Sequence, residues 1–168
     1  MEMSGERRIP APRAAVWEAL KDPEVLKACI PGCQSLEKKT DDAFAATVKA
    51  KVGPVSATFS GVATISDRDP PNALTLAGEG KGGAAGFAKG SAHVTLAEAE
   101  GGAATDLTFE TKSQVGGKLA QIGSRLVKGS AEKYTEEFFT AFSAQVAERA
   151  GAPTPTDGAE SPAAAEAD

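Results

Sequence analysis

Two cysteines, Cys29 and Cys33, flank a Pro31-Gly32 break in the run ACIPGC, a spacing that suits thiol chemistry or half of a zinc site. Zinc held by that pair needs two more donors, and the chain supplies one histidine, His93. A reactive thiol needs a depressed pKa, and nothing in the run itself provides one, so both cysteines read as small buried hydrophobes. His93 has no acid or nucleophile beside it in a pattern that suggests pairing, and reads as a structural or surface histidine. Asp67, Asp69, Glu98 and Glu100 fall at predicted turns and read as solvated charges. Gly78, Gly80 and Gly83 satisfy G-x-G-x-x-G, but a dinucleotide fingerprint runs from a strand into a helix, and this one runs into another strand. No catalytic residue and no metal ligand is assigned from these groups.

With 168 residues, 18 Lys plus Arg, 23 Asp plus Glu and 41% hydrophobic residues, the chain has the size and composition of one modest domain. No window approaches the roughly 20 apolar residues of a spanning helix, and the start MEMSGERRIP lacks a signal-type apolar core, so a cytoplasmic protein is expected. The net charge of −5 argues against nucleic acid as a partner. Two cysteines are too few for a disulfide framework. Residues 151–168, GAPTPTDGAESPAAAEAD, contain no Ile, Leu, Val, Phe, Trp or Tyr and are expected to be a disordered acidic tail. That tail holds Asp157, Glu160, Glu166 and Asp168 and no base, so taking four from the −5 leaves residues 1–150 at −1. A domain of that length buries about 70% of its unfolded surface, enough for one real core.

Met3 to Ile9 reads as a first strand that Pro10 and Pro12 stop, and Arg13 to Lys21 take up helical spacing with Val16, Trp17 and Leu20 on one face. Asp22-Pro23 reads as an N-cap with proline at the first helical position, opening a second short helix that Pro31 and Gly32 end. The period then becomes two. Phe44, Ala46, Val48, Ala50 and Val52 alternate with Ala45, Thr47, Lys49 and Lys51, Gly53-Pro54 turns the chain, and Val55 to Ser66 return antiparallel. Ala73 to Gly80, Gly86 to Ala97 and Thr105 to Val115 continue the meander. After Gly116-Gly117 a helical stripe through Leu119, Ile122, Leu126, Ser130, Tyr134, Phe138, Ala141 and Phe142 predicts one helix of about 30 residues, or about 45 Å. These elements predict an α+β helix-grip fold: a curved antiparallel sheet wrapped around a long C-terminal helix, with two short helices after the first strand.

The inward positions of that sheet are unusually small. Ala46, Ala50, Ala57, Gly61, Ala63, Gly78, Ala88, Gly90 and Ala92 fall on the inner face, and the opposing helix carries Gly123, Gly129, Ser130 and Ala131. Interiors normally pack to a density of about 0.75, and each helical glycine costs roughly 1 kcal/mol against alanine, so the pattern needs a compensating role. Two readings fit: close approach of helix and sheet, or a ligand cavity lined by Phe44, Val48, Phe59, Leu74, Leu76, Phe109, Ile122 and Leu126.

The segment Gly78 to Gly90 reads either as a flexible hairpin connection or as a mobile gate, with Phe87 between Lys81 and Lys89 placed to touch an apolar partner or a lipid surface. Lys112, Lys118, Arg125 and Lys128 occur with no intervening acid, which allows an electropositive patch near the helix start.

Four runs carry a resemblance: DPEVLKACIPGC at 22–33, KVGPVSATFSG at 51–61, GEGKGGAAGFAKGSA at 78–92 and QVGGKLAQIGSRL at 114–126. In this order they resemble the CoxG family of carbon monoxide dehydrogenase proteins, part of the START-like helix-grip (SRPBCC) superfamily, over roughly residues 3–146. The resemblance implies a non-catalytic accessory protein of a molybdenum-containing carbon monoxide dehydrogenase or related hydroxylase. It also implies recruitment to the inner face of the cell membrane and a link to the quinone pool. The carried ligand would then be a quinone, menaquinone or ubiquinone, or another lipid, with no covalently bound cofactor. An anchoring C-terminus found in some relatives has no counterpart in the acidic tail, which an anionic leaflet would repel, so membrane contact is expected from the domain. A ligand-free protein-interaction adaptor is the alternative, and a START-like cyclase or hydrolase, which would need polar groups converging inside the cavity, a further one.

Overall fold

The computed structural model describes residues 1–149. The expected tail lies outside them, as does the last residue of the expected domain. Strand β1 (Glu2–Ile9) leads to helices α1 (Arg13–Leu20) and α2 (Pro23–Cys29), followed by six strands: β2 (Cys33–Thr40), β3 (Ala43–Val52), β4 (Val55–Asp69), β5 (Ala73–Lys81), β6 (Phe87–Ala99) and β7 (Ala104–Gly116). A helical turn α3 (Lys118–Gln121) and the long helix α4 (Ser124–Arg149) close the described chain. All seven strands form one antiparallel sheet in the order β1-β7-β6-β5-β4-β3-β2, so the first strand joins the end of the meander beside β7.

Local chemistry accounts for the entry into the fold. Asp22 caps α2, its carboxylate accepting the Glu24 N–H at 2.9 Å, and Pro23 supplies a pre-set φ at the first helical position. The Asp22 carboxylate also accepts from the Arg149 guanidinium at 2.7 Å, fastening the end of α4 to the start of α2. Ile9, Val16, Trp17, Leu20, Leu74, Leu107, Phe142 and Val146 bury together where α1, α2 and the second half of α4 meet the sheet. The core therefore occupies one end of the molecule.

Three departures from the sequence reading follow from backbone geometry. Strand β2 carries only Leu36 as a large apolar residue beyond Cys33, and its alternation is too weak to announce a strand; pairing of Leu36 with Ala46 of β3 creates it. The expected single C-terminal helix is broken at Gly123, whose φ of +100° no helix accommodates, so Leu119 and Ile122 belong to a separate turn. Beyond that break the buried stripe is Val127, Phe139, Phe142, Val146 and Ala147, and Leu126 rotates out to 49% exposure. Residues 78–90 are likewise not one long loop: β5 and β6 pair from Ala73–Thr95 to Lys81–Phe87, leaving only residues 82–86 as the connection.

Candidate functional site

Alternation on the strands and the placement of α4 leave a space in the middle of the concave face. Its walls are Met3 of β1, Phe44 and Ala46 of β3, Ala63 of β4, Leu76 and Gly78 of β5, Gly90 and Ala92 of β6, and Thr111 and Ser113 of β7. Leu26 and Ile30 close it at α2, Leu36 at β2, and Ala131 and Phe138 from α4. The cavity measures about 430 Å³, within the roughly 300–1,000 Å³ of small-molecule sites. Its lining is almost wholly apolar, and the hydroxyls of Thr111 and Ser113 donate to the carbonyls of Met3 and Met1 at 3.3 and 3.5 Å. The cavity therefore offers shape and apolar contact rather than acid, base or nucleophile.

Helix α4 is fixed over this space from both sides. The Tyr134 hydroxyl accepts the Lys51 N–H and donates to the Lys51 carbonyl, both at 2.9 Å, which ties α4 to β3. On the β1 side the Arg7 guanidinium pairs with Glu136 and lies 5.7 and 5.6 Å from the ring centres of Phe109 and Phe139. Neither anchor is a reactive group in the cavity.

The glycines separate the two readings of the small inner residues. A Cβ on Gly61 would lie 1.8 Å from the Glu79 carbonyl oxygen, and one on Gly90 would lie 2.7 Å from the Lys112 oxygen, so these two answer to close strand approach. A Cβ on Gly78 would meet only ordinary contacts, the Val62 oxygen at 3.4 Å and Ala63 Cβ at 3.6 Å. Gly123 and Gly129, expected against the sheet, have nothing within 4 Å of such a Cβ and are exposed. They neither press on the strands nor line the cavity; Ala131 does the lining from α4.

Of the eight residues expected to line a ligand space, Phe44 and Leu76 do so. Leu74 and Phe109 are buried in the core at the closed end, with Phe109 stacked on Phe139 at 5.2 Å. Val48 and Phe59 face each other across β3 and β4 beyond the cavity, the Phe59 ring lying over Gly82. Ile122 and Leu126 cover the β3–β4 turn, both reaching to 3.5 Å from a Cβ built at Gly53. Sequence alternation assigns a face but not a height along the strand, and these six lie above or below the void. Met3, Leu26, Ile30, Leu36 and Phe138 also line it, although only their apolar character and the faces of their elements signal this in the sequence.

The expected gate is also placed differently. Phe87 and Lys89 lie on the outer face of β6 and Lys81 on that of β5, and the Phe87 ring is half-buried against Gly116. These three therefore stand on the side of the sheet away from the cavity. His93 is there too, its Nδ1 3.0 Å from the Thr75 hydroxyl. Cys29 is buried, and burial pushes its thiol up to about 11; desolvation also raises Cys33 against the opposing charge of Lys27. At pH 8 an aromatic disulfide reagent should titrate one thiol in the native protein, the half-buried Cys33, and the second only after denaturation. Since the unfolded Cys29 thiol ionises first, folding stability should fall as pH rises from about 9 to about 11, by roughly 2–3 kcal/mol.

A family model for the CoxG component of carbon monoxide dehydrogenase matches residues 5–147. The chain belongs to that family. Among solved structures, a conserved protein from Geobacillus kaustophilus is 29% identical, with a TM-score of 0.81 over 88% of this chain and 96% of that one. Two more distant structures share the fold. The START superfamily protein from Mycobacterium smegmatis has 13% identity and a TM-score of 0.65 over 88% of this chain and 98% of its own. The Zhui aromatase/cyclase from Streptomyces sp. R1128 has 12% identity and a TM-score of 0.67 over 89% and 94%. No curated protein sequence matches the chain. The expected START-like, α+β helix-grip architecture is thus the architecture found, and CoxG membership supports an accessory or ligand-binding role over a catalytic one. Among the described residues no helix is long and apolar enough to cross a membrane.

Proposed function

We propose that this CoxG-family chain is a non-catalytic carrier that holds a quinone or similar lipid between sheet and α4. In that role it serves a molybdenum-containing carbon monoxide dehydrogenase or related hydroxylase at the inner face of the cell membrane. The observation that carries the reading is the apolar cavity of about 430 Å³, whose Thr111 and Ser113 hydroxyls are already engaged by the carbonyls of Met3 and Met1. At roughly 30 Å³ for a water-sized group, that volume takes about 14 such groups. A one- or two-ring quinone head fits, flanked by Phe44 and Phe138; the full isoprenoid chain of menaquinone or ubiquinone does not, so its tail must leave the cavity. A carrier of this kind presents the redox-active ring to the enzyme while the tail stays in contact with other apolar surface.

The test is organic extraction of the purified protein followed by mass analysis, alongside titration with a short-chain quinone monitored by displacement of an apolar fluorophore. Stoichiometric prenyl quinone or lipid in the extract and saturable displacement are expected. An extract without such a molecule, together with no displacement, would overturn the reading.

A further inference from the structure

The end of the molecule beyond the cavity has a charge distribution unlike the rest. Between Ala43 and Ser66 the chain holds Lys49 and Lys51 and no carboxylate; between Thr111 and Ala131 it holds Lys112, Lys118, Arg125 and Lys128 and again none. The fold brings these stretches together, because Ile122 and Leu126 seat on the Gly53 turn that joins β3 to β4, and the Tyr134 hydroxyl binds Lys51 just below. Among the described residues Lys51, Lys118, Arg125 and Lys128 form no ion pair, and all four are exposed. Leu126 is one of three large hydrophobic side chains exposed among the described residues, at 49%. It stands against the Gly53 turn, within a group of unpaired cations.

We propose that the α3–α4 elbow and the β3–β4 turn form a docking surface for an anionic lipid bilayer, with Leu126 entering the headgroup boundary and Lys51, Lys118, Arg125 and Lys128 facing lipid phosphates. Unpaired cations around an exposed aliphatic side chain match the two components of an interface that is apolar within and negative at its surface. The folded residues carry almost no net charge, so the attraction comes from this local excess and not from the protein as a whole. Ala131, which lines the cavity, is five residues along α4 from Leu126, about 7.5 Å along the axis. Docking here would set the cavity within a lipid tail's reach of the bilayer. The proposal rests on the membrane contact in the carrier reading and assigns it to the elbow instead of to Phe87, whose ring packs on Gly116.

The test is flotation of the full chain with vesicles of equal phosphatidylglycerol and phosphatidylethanolamine, and with pure phosphatidylcholine. The wild type should float with the anionic vesicles and stay behind with the neutral ones. Arg125→Gln with Lys128→Gln should lower the partition coefficient about 30-fold, from a factor of roughly five for each charge near the surface, and Leu126→Asp about tenfold. Phe87→Asp should float as wild type does. All these side chains except Phe87 are well exposed, and unchanged melting temperatures verify folding. Equal flotation of the elbow variants and wild type, loss with Phe87→Asp alone, or no flotation of the wild type would overturn the proposal. In the last case, protection of Arg125 and Lys128 by an acidic partner protein would assign the patch to that partner. Gly78→Leu should float normally while losing ligand, so the surface and the cargo fail separately.

Discussion

Gly78→Leu should leave the fold intact and weaken binding of a quinone head or apolar probe at least 100-fold, which corresponds to about 3 kcal/mol. The first added carbon meets only the Val62 oxygen at 3.4 Å and Ala63 Cβ at 3.6 Å, so the sheet needs no adjustment to accept it. The rest of the side chain projects from the inner face of β5, two residues on from Leu76, into the middle of the cavity. Overpacking normally costs roughly 1–3 kcal/mol because a filled core has nowhere to put extra atoms. Here the space exists, and buried apolar surface is gained, so the melting temperature should hold or rise while binding disappears. Isothermal titration with a short-chain quinone and a thermal melt of the same sample check both halves. A variant that melts lower and still binds would mean that the space at Gly78 belongs to the packing and not to a ligand.

The comparison variant is Gly90→Ala, at the position paired with Gly78 on β6. Its Cβ would lie 2.7 Å from the Lys112 carbonyl oxygen and 3.1 Å from Ser113 Cβ, both on the neighbouring strand β7. One glycine thus answers to strand approach and its neighbour to an open volume, although the sequence presents them as one small-residue pattern.

That difference shows how far the sequence carries the argument. Period-two alternation in β3 and β4 fixes which side chains face inward, and burial follows it residue by residue from Val48 to Val52 and from Val55 to Ile65. The Asp22-Pro23 pair fixes the start of α2 because capping is a local property. The location of the void is not local. It depends on how far up the strands α4 sits, and Gly123 decides this by ending the helical path after Ile122 and starting it afresh at Ser124. A continuous helix would put Leu126 on the buried stripe; the break substitutes Val127 and turns Leu126 outward. The same non-local cause separates Phe44 and Leu76, which reach the cavity, from Val48 and Phe59, which lie beyond it. Strand β2 is hidden for a related reason, since its pairing with β3 supplies what its own residues do not.

Phe142→Ala tests that helix placement through stability, and should cost roughly 3–5 kcal/mol, the usual range for a large aromatic removed from a core. Phe142 has no exposed surface; it stacks on Phe138 at 5.4 Å between ring centres and meets Phe139 edge-on at 6.5 Å. Its neighbours in the core come from β1, α1, α2 and the sheet, so no single flexible element can collapse into the space it leaves. For a domain of this size the melting temperature should drop by roughly 10–15 °C, and the denaturant midpoint should fall with little change in slope. Leu126→Ala is the control, because a side chain 49% exposed lies outside the core and its loss should stay within about 0.5 kcal/mol. Under a helix running unbroken from Leu119 the two substitutions would cost comparable amounts, since both residues would share the buried stripe. A large loss at Leu126 would therefore rule out the Gly123 break, and with it the exposed apolar elbow. Phe138→Ala separates the site from the core: Phe138 lines the cavity and is only partly buried. Its removal should enlarge the cavity and reduce affinity for a flat ring more than it reduces stability, the reverse of the balance at Phe142.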